Sequence, residues 1–247
     1  MTADALRALH RPGDPLILPN AWDAGSARVV AAAGFGAVAT SSGAVAESLG
    51  YADHEQTPVT EMLDAIARTA AAVPVPVTAD FERGYGLWPA DLVERLAATG
   101  VVGMNLEDSD PATGALVDAN EHADFLAAIV EAGRLTGIDL VLNARIDVFV
   151  RDEGRWSARE RLEEAIRRAR IYRAAGADCV YPILLSSHPD IATFVDEVDA
   201  PVNILASASE PNVPALAALG VARISFGSGV YRVTQKHLTE IVARIRG

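Results

Sequence analysis

Short apolar runs rich in β-branched residues alternate along the chain with longer, Ala-rich stretches of helical periodicity. A few polar, Gly or Pro residues separate each apolar run from the helical stretch that follows. Repeated strand and helix units of this kind indicate a parallel sheet, because a crossover helix returns the chain to the same direction. The pattern predicts eight strands, at residues 16–20, 37–41, 75–80, 103–107, 140–145, 179–183, 202–206 and 222–226.

The stretches between these strands predict the helices. Their apolar positions recur at helical spacing, and a glycine follows five of them, as a left-handed C-terminal cap requires. The predicted helices are residues 26–33, 59–72, 89–98, 123–136, 158–175, 189–197, 212–219 and 232–246. The five capping glycines are Gly34, Gly100, Gly137, Gly176 and Gly220.

Eight parallel strands and a terminal helix favour a closed (β/α)₈ barrel of the TIM type, an α/β fold, over the alternative of a doubly wound open sheet. The chain has 247 residues, and such barrels commonly form one unit of about 250 residues. No low-complexity stretch or charge block divides the sequence. We therefore expect a single barrel domain over residues 1–247.

Composition restricts the partners and the compartment. The chain carries 33 acidic and 21 basic residues, a net charge of −12, which disfavours binding to nucleic acid or to an anionic membrane. One cysteine permits no intrachain disulfide and fits a reducing compartment. Residues 1–11 lack the apolar segment of a secretory leader, and no apolar run reaches the ~18 residues of a membrane span. We expect a cytoplasmic protein.

Acidic residues collect where predicted strands end, which is where barrel enzymes carry their chemistry. Asp80, Glu82 and Glu107 are expected to project into one mouth, where three uncompensated carboxylates would repel each other. A hard divalent cation such as Mg²⁺, with Mn²⁺ as a substitute, would neutralise them through oxygen ligands. The alternative is an ordinary network at the rim in which these acids pair with Arg83.

Basic and hydroxyl groups at the same strand ends are candidates for binding an anion. The forked guanidinium of Arg145 suits a carboxylate or phosphonate, although it can equally pair with a buried acid such as Glu107. Ser41, Ser42 and Gly43 offer hydroxyl and backbone N–H donors to an oxyanion. Serine and glycine are also common loop formers, so this segment alone is weak evidence.

The remaining reactive residues carry no strong signal. Cys179 lies within an apolar strand and is predicted to belong to the core. His54 follows Asp53 in a polar loop and is either catalytic or solvated. The other histidines show no metal-ligand spacing and are predicted to lie at the surface: His10, His122, His188 and His237.

At these positions the chain resembles the isocitrate lyase and phosphoenolpyruvate mutase superfamily over nearly its whole length. The segment from Asp80 to Gly86 is similar to the superfamily's Asp-x-Asp-x-Gly-Tyr/Phe-Gly metal motif, with Glu in the second acidic position. Four further segments match in order and approximate spacing. They are Ser41-Ser42-Gly43, Leu49-Gly50-Tyr51-Ala52-Asp53, Asn105-Leu106-Glu107-Asp108 and Asn143-Ala144-Arg145.

This resemblance implies Mg²⁺ bound directly by Asp80, with Asp53, Glu82 and Glu107 acting largely through water. It also implies that residues 41–43 and Arg145 hold a 2-oxo acid or its enolate against the metal. On this basis Arg145, Asp53 and Glu107 are the expected catalytic residues. The resemblance further implies a homo-oligomer, either a dimer or a tetramer.

The sequence departs from the superfamily where the reaction is chosen. Residues 109–120 contain no cysteine, lysine or histidine, whereas the lyases carry a cysteine there and the phosphonate enzymes a lysine. After the sixth strand, Ile183 follows Pro182 where lyases place an acid. Asn203 is a candidate replacement that binds substrate. Asp108 or His54 could supply a proton.

Three hypotheses follow from this sequence. The leading one is a Mg²⁺-dependent lyase, of a branch without the catalytic cysteine, that cleaves a C–C bond in a small 2-oxo or hydroxy di- or tricarboxylic acid through a stabilised enolate. The second is a hydrolase or mutase that acts on oxaloacetate or a phosphonate. The third is a protein that binds 2-oxo acids without catalysis.

Overall fold

A computed structural model describes residues 1–151 and 154–246. Its parallel strands lie in two hydrogen-bonded groups, ordered β2-β3-β4-β5-β6-β7 and β1-β9-β8. The strands are β1 (Leu16–Leu18), β2 (Asn20–Ala21), β3 (Val38–Thr40), β4 (Val77–Asp80), β5 (Gly103–Glu107), β6 (Val141–Ile146), β7 (Cys179–Pro182), β8 (Asn203–Leu205) and β9 (Arg223–Ser225).

The two groups of strands join into one ring. Val180 in β7 forms a parallel bridge with Val202, the residue before β8. On the other side only Pro19 separates β1 from β2, and proline has no N–H to give to a strand ladder. β1 and β2 are therefore two halves of one barrel strand, and the predicted eight-stranded barrel is confirmed.

Helices follow the strands in the predicted order. They are α1 (Ala3–Arg7), α2 (Ala24–Ala32), α3 (Ser42–Leu49), α4 (Val59–Ala71), α5 (Pro89–Ala98), α6 (Ala119–Thr136), α7 (Ala158–Ala174), α8 (His188–Glu197), α9 (Val213–Ala218) and α10 (Gly229–Arg246). All five predicted capping glycines have positive φ, between 72° and 103°. A residue with a Cβ would be strained there, so these stops are confirmed.

Two helices were not predicted, and both position the site. α1 lies across the amino ends of the strands, where Leu6 packs with Leu16, Leu18 and Val141 in a small apolar cluster. α3 begins directly after β3 and is capped by Ser41, whose Oγ lies 3.5 Å from the backbone nitrogen of Ala44. With the amino end covered by α1, the carboxyl end remains open to a ligand.

The last helix projects from the barrel. Within α10 as described, only Tyr231 is buried, and its ring packs edge-on against Trp22 at 5.0 Å. The apolar side chains of Val233, Leu238 and Val242 are exposed. In the parts of the chain that the structure describes, no helix combines the length and the apolar character needed to cross a membrane.

Candidate metal and 2-oxo acid site

A cavity of about 240 Å³ opens at the carboxyl ends of the strands. Predicted residues from four segments line it together: residues 41–43, Asp53, Asp80 and Arg145. Parallel strands end at the same edge of the barrel, which explains why positions so distant in sequence meet.

The start of α3 contacts the end of β4. The backbone N–H of Ser42 donates to Asp80 Oδ2 at 3.1 Å, and the Ser42 hydroxyl donates to the same oxygen at 2.8 Å. Burial raises the pKa of Asp80, whereas the charge of Arg145 and these two hydrogen bonds lower it. Ser41 Oγ lies 2.9 Å from Ser228 Oγ, which follows β9. Residues 41 and 42 thus join the predicted metal ligand to the last strand.

Glu82 is buried, and both of its oxygens already accept hydrogen bonds. Oε2 accepts from the Glu55 backbone N–H at 2.7 Å, and Oε1 accepts from the Tyr85 hydroxyl at 2.6 Å. Burial, together with the charges of Asp53 and Asp80, raises the pKa of Glu82 to about 7, although the Tyr85 hydrogen bond opposes this shift. Glu82 therefore ties the loop of residues 53–55 to the loop after β4.

Asp53, His54 and Glu82 place one potential ligand atom each within 4.8 Å of one another. Two carboxylates and an imidazole suit a divalent cation. The approach is close, because a Cβ on Gly43 would lie 2.7 Å from Asp53 Oδ2. The two carboxylates fit Mg²⁺, which takes oxygen ligands, whereas the His54 imidazole suits a transition metal. Asp80, the direct ligand that the resemblance implies, lies outside this group of three.

Arg83 does not neutralise these acids. Its Nη1 lies 2.6 Å from Nδ1 of His122, its Nη2 lies 3.5 Å from a Glu121 oxygen, and its guanidinium covers the Phe125 ring at 5.5 Å. The side chain therefore points toward α6 and away from the cavity. The alternative in which Arg83 pairs with the strand-end acids is not the one that the fold adopts.

Arg145 pairs with two acids while it lines the cavity. Nη1 lies 2.6 Å from Glu107 Oε2, and Nε donates to Asp147 Oδ1 at 2.7 Å. Nη2 donates to Asp147 Oδ2 at 3.1 Å. Burial raises the pKa of Glu107 well above its ordinary value, although Arg145 opposes the shift. The ion pair with Glu107 that the sequence left open is therefore present. The contacts with Glu107 and Asp147 together occupy three of the five guanidinium donors.

Two other candidates lie outside the cavity. Asn203 begins β8, below the mouth, and is fully buried where its Oδ1 accepts from the Ser225 hydroxyl at 3.2 Å. Asp108 is also fully buried, and its Oδ2 accepts from Arg168 at 2.8 Å and from the Tyr172 hydroxyl at 2.7 Å. Neither side chain lines the cavity in this structure.

The prediction of surface histidines is wrong for two of the four. His122 is fully buried beside Arg83, and burial lowers its pKa well below the ordinary value. His10 is buried below the barrel, where its Nδ1 lies 2.9 Å from the Leu6 carbonyl oxygen. His122 lies in α6, with its ring against Phe125 and Tyr172, so its burial is a tertiary effect without a local sequence signal. Cys179 is fully buried, as predicted.

Comparison with known proteins identifies the family of the chain. The sequence profile described as phosphoenolpyruvate phosphomutase matches residues 6–246. The chain belongs to this family. The resemblance to the isocitrate lyase and phosphoenolpyruvate mutase superfamily is therefore confirmed.

Relatives of the chain within this superfamily include different enzymes. A 2-methylisocitrate lyase of Halalkalibacterium halodurans is 29% identical over 238 residues, 94% of this chain and 76% of that protein. A provisionally named phosphonomutase of Burkholderia cenocepacia has a TM-score of 0.92 and 42% identity, covering 98% of this chain and 99% of that one. Oxaloacetate acetylhydrolase with its product oxalate has a TM-score of 0.87 and 26% identity, covering 99% and 86%. The family member described here is thus related to lyases, mutases and hydrolases, and the prediction of an enzyme of this superfamily is confirmed.

Sequence reasoning missed several side chains that line the cavity. Asn20 and Asn105 lie on strands whose ends had been recognised as polar, but neither was selected. Ser225, Ser228 and Arg232 follow or end the last strand. Applying the strand-end rule to β9 as well as to the earlier strands would have found these three.

Proposed function

We propose that the protein is a Mg²⁺-dependent lyase that cleaves a C–C bond in a small 2-oxo or hydroxy di- or tricarboxylic acid. One observation carries the proposal: Asp53 and Asp80 line one cavity, and Asp53 and Glu82 place carboxylate oxygens within 4.8 Å of each other. No basic side chain within the described residues forms an ion pair with these three acids. Acids that share a site without a cation repel each other. Mn²⁺ is expected to substitute for Mg²⁺, because it binds similar oxygen ligands.

In this proposal Asp80 would hold the cation directly, and Asp53, Glu82 and Glu107 would support it largely through water. The cation supplies positive charge beside the substrate carbonyl oxygen. The two guanidinium donors that Arg145 retains, and the hydroxyl and N–H groups of residues 41–43, bind the carboxylate and orient the 2-oxo group. In a 2-oxo substrate whose bond to C3 breaks, the electron pair is delocalised through C3 toward the C2 oxygen, and these donors stabilise the charge that develops there. In a 2-hydroxy substrate, the hydroxyl loses its proton and becomes the carbonyl of one product, and the electron pair of the broken bond passes to the carboxylate-bearing fragment, which then takes up a proton.

Asp53, Glu107 and Arg145 keep their proposed catalytic roles. Arg145 is held by Glu107 and Asp147, so its guanidinium is oriented before substrate arrives. Asn203 is proposed as a substrate ligand only if the substrate reaches below the mouth, since its amide is enclosed here.

Hydrolysis of a 2-oxo dicarboxylate is the second candidate. The observation that favours it is the similarity to oxaloacetate acetylhydrolase in complex with oxalate. In addition, residues 109–120 contain neither the cysteine of the lyases nor the lysine of the phosphonate enzymes. A phosphoenolpyruvate mutase-like reaction and 2-oxo acid binding without catalysis remain further outcomes of the same experiment.

The purified full chain should be incubated with Mg²⁺, Mn²⁺ or EDTA and separately with 2-methylisocitrate, oxaloacetate and phosphonopyruvate. Products are identified by NMR. Metal-dependent cleavage of the hydroxy tricarboxylate supports the lyase, and formation of oxalate and acetate supports the hydrolase. Tight oxalate binding without turnover of any substrate would support a binding protein. Metal-independent turnover would contradict the proposed site.

We further propose a homo-oligomer, a dimer or tetramer, in the cytoplasm, with no nucleic acid or membrane partner. The exposed apolar side chains of α10 support the oligomer, because they would be covered by a neighbouring subunit. The net charge of −12 disfavours polyanionic partners. Light scattering after size exclusion tests the assembly, and a monomer at micromolar concentration would contradict it.

A further inference from the structure

The floor of the cavity contains an amide whose orientation is fixed from below. Asn105 lies in the middle of β5, and its Oδ1 accepts from Asn143 Nδ2 at 2.7 Å and from Arg223 Nη2 at 3.1 Å. Both neighbours present N–H donors, so the oxygen of the Asn105 amide must face them. The planar amide then directs its Nδ2 to the opposite side.

That Nδ2 group has no protein partner in the described residues, although Asn105 is buried and lines the cavity. It is also absent from the enclosed polar atoms that lack a hydrogen bond, so it is open to the cavity. Asn20 provides a contrast in the same cavity. Its Nδ2 donates to the Thr40 carbonyl at 2.7 Å, and its Oδ1 accepts from the Phe226 N–H at 2.8 Å. Both polar atoms of the Asn20 amide are therefore bonded to the backbone, whereas Nδ2 of Asn105 is available to a ligand.

Arg223, which begins β9, is a fully buried guanidinium without a carboxylate partner in the described chain. It contacts only neutral groups: Asn105 and, at 3.5 Å, Nε2 of His10. Its Nε has no hydrogen-bond partner. Buried arginines are usually paired with acids, so this uncompensated charge is unusual. It lies directly behind the Asn105 amide and makes that amide a stronger donor.

We propose that Asn105 is a further catalytic residue, whose Nδ2 donates a hydrogen bond to the oxygen of the bound 2-oxo acid that gains negative charge during the reaction. Arg223 is a positioning residue that orients the amide and places positive potential beneath it. The inference rests on the proposed function. It predicts that the site prefers an oxyanion, such as oxalate, over a ligand with a neutral carbonyl oxygen at the same position, such as pyruvate.

Calorimetric titration of the full chain with oxalate and with pyruvate, each in saturating Mg²⁺, tests the inference. Asn105→Asp is the first variant, because its carboxylate keeps the shape, still accepts from Asn143 and gains an ion pair with Arg223. The Asn105→Asp variant should be at least as stable as the native chain, but it lacks the Nδ2 donor to the ligand. We expect oxalate affinity to fall about tenfold to 100-fold, as expected for the loss of a hydrogen bond to a charged group.

A second variant separates donor loss from added negative charge. The double variant Asn105→Leu with Arg223→Met replaces the amide and the guanidinium with apolar groups of similar size. Asn143 Nδ2 loses its acceptor in this variant, so thermal unfolding must first show that the fold persists. The double variant should show the same fall in oxalate affinity, with pyruvate affinity changed less than about threefold and Mg²⁺ affinity in the absence of ligand unchanged. Arg223→Met alone should lower the ratio of oxalate to pyruvate affinity. A purely structural role would change both affinities together.

The outcomes distinguish the two levels of the proposal. If the native chain binds neither ligand in Mg²⁺, the proposed function is wrong and this inference falls with it. If the native chain binds oxalate but the double variant keeps the native ratio of oxalate to pyruvate affinity, the role of Asn105 is wrong and the proposed function stands. If oxalate affinity falls in Asn105→Asp but not in the double variant, the donor role is also wrong. Repulsion between the new carboxylate and oxalate would then explain the fall.

Discussion

Acidic residues at the two ends of the barrel have opposite surroundings. At the amino end, Arg7 of α1 contacts Asp4 at 2.7 Å, Asp139 at 2.8 Å and Asp178 at 2.8 Å, so one cation serves three carboxylates. These residues border a larger and mostly apolar depression of about 390 Å³.

At the carboxyl end, Asp80 and Glu82 accept hydrogen bonds from hydroxyl and backbone N–H groups, and within the described residues no arginine forms an ion pair with Asp53, Asp80 or Glu82. Arg145 lines the same cavity but pairs with Glu107 and Asp147. Under the proposed function, the size of a cavity does not identify the site in this molecule. Compensation of charge is the better guide, because acids that fold a protein are paired and acids that bind a cation are left open.

The strongest test of this difference is to neutralise one acid at each end. Asp80→Asn should lower Mg²⁺ affinity by more than about 100-fold, beyond the range typical of groups that only support a metal ligand. The fold should persist, because the new amide oxygen can still accept from the Ser42 N–H. Asp139→Asn is the matched control: it should cost below about 1 kcal/mol of stability, as exposed ion pairs do, and leave Mg²⁺ affinity unchanged.

Calorimetry with Mg²⁺ and thermal unfolding measure both variants. Equal Mg²⁺ affinity in Asp80→Asn and the native chain would remove the distinction between the two ends. A loss of Mg²⁺ affinity in Asp139→Asn would also remove this distinction.

The amino end should also respond to pH without any metal. Burial, and then the charge of Arg223, lowers the pKa of His10 to about 4, so the ring stays neutral in the fold. In the unfolded chain it gains a proton below about pH 6.5, and stability is lost as the pH falls from there toward 4. By pH 5 this loss is about 2 kcal/mol.

Denaturant unfolding at pH 7 and pH 5, in EDTA, measures this linkage. His10→Phe should unfold with less pH dependence than the native chain by that amount, whatever its stability at pH 7. Equal pH dependence in the two proteins would show that the His10 ring is protonated in the folded state.

A smaller loss of Mg²⁺ affinity is expected when a side chain is added at Gly43, at the carboxyl end of the barrel. Gly43→Ala would place a Cβ 2.7 Å from Asp53 Oδ2 and 3.1 Å from Ser228 Oγ, so Asp53 must shift. We expect Mg²⁺ affinity to fall about tenfold, the lower range for disturbing a group that supports a metal. Gly25→Ala in the first turn of α2 is the control, because its Cβ would meet only ordinary contacts. That control should gain about 0.5–1 kcal/mol of stability with no change in Mg²⁺ binding.

Much of the fold follows from local signals in the sequence. Strands buried on both faces appear as apolar runs, and glycine marks five helix ends, so the barrel and the order of its elements were predictable. The helix α3 was not predicted, because Ser41, Ser42 and Gly43 are typical loop residues. It forms because Ser41 caps it and because Ser42 is held by Asp80, a residue about forty positions away.

The sequence also predicted which segments meet at the mouth of the barrel, but not how their side chains contact one another. Glu82 has a left-handed backbone, with φ of 49°, as do His54, Glu55 and Tyr85, with φ of 67°, 57° and 55°. These loop conformations decide that Glu82 binds the neighbouring loop and that Arg83 turns away from the cavity. Non-glycine residues adopt them only when tertiary contacts require it, so no local pattern predicts them.

The buried Cys179 in β7 has a further consequence for how the barrel can be studied. It is the single cysteine of the chain, its side chain is fully enclosed, and burial raises its pKa to about 12. The thiolate, not the thiol, attacks electrophilic labelling reagents, so the folded protein resists them. The native chain therefore contains a reporter of barrel opening at one site. The labelling rate of Cys179, with and without Mg²⁺, measures how often β7 separates from its neighbours.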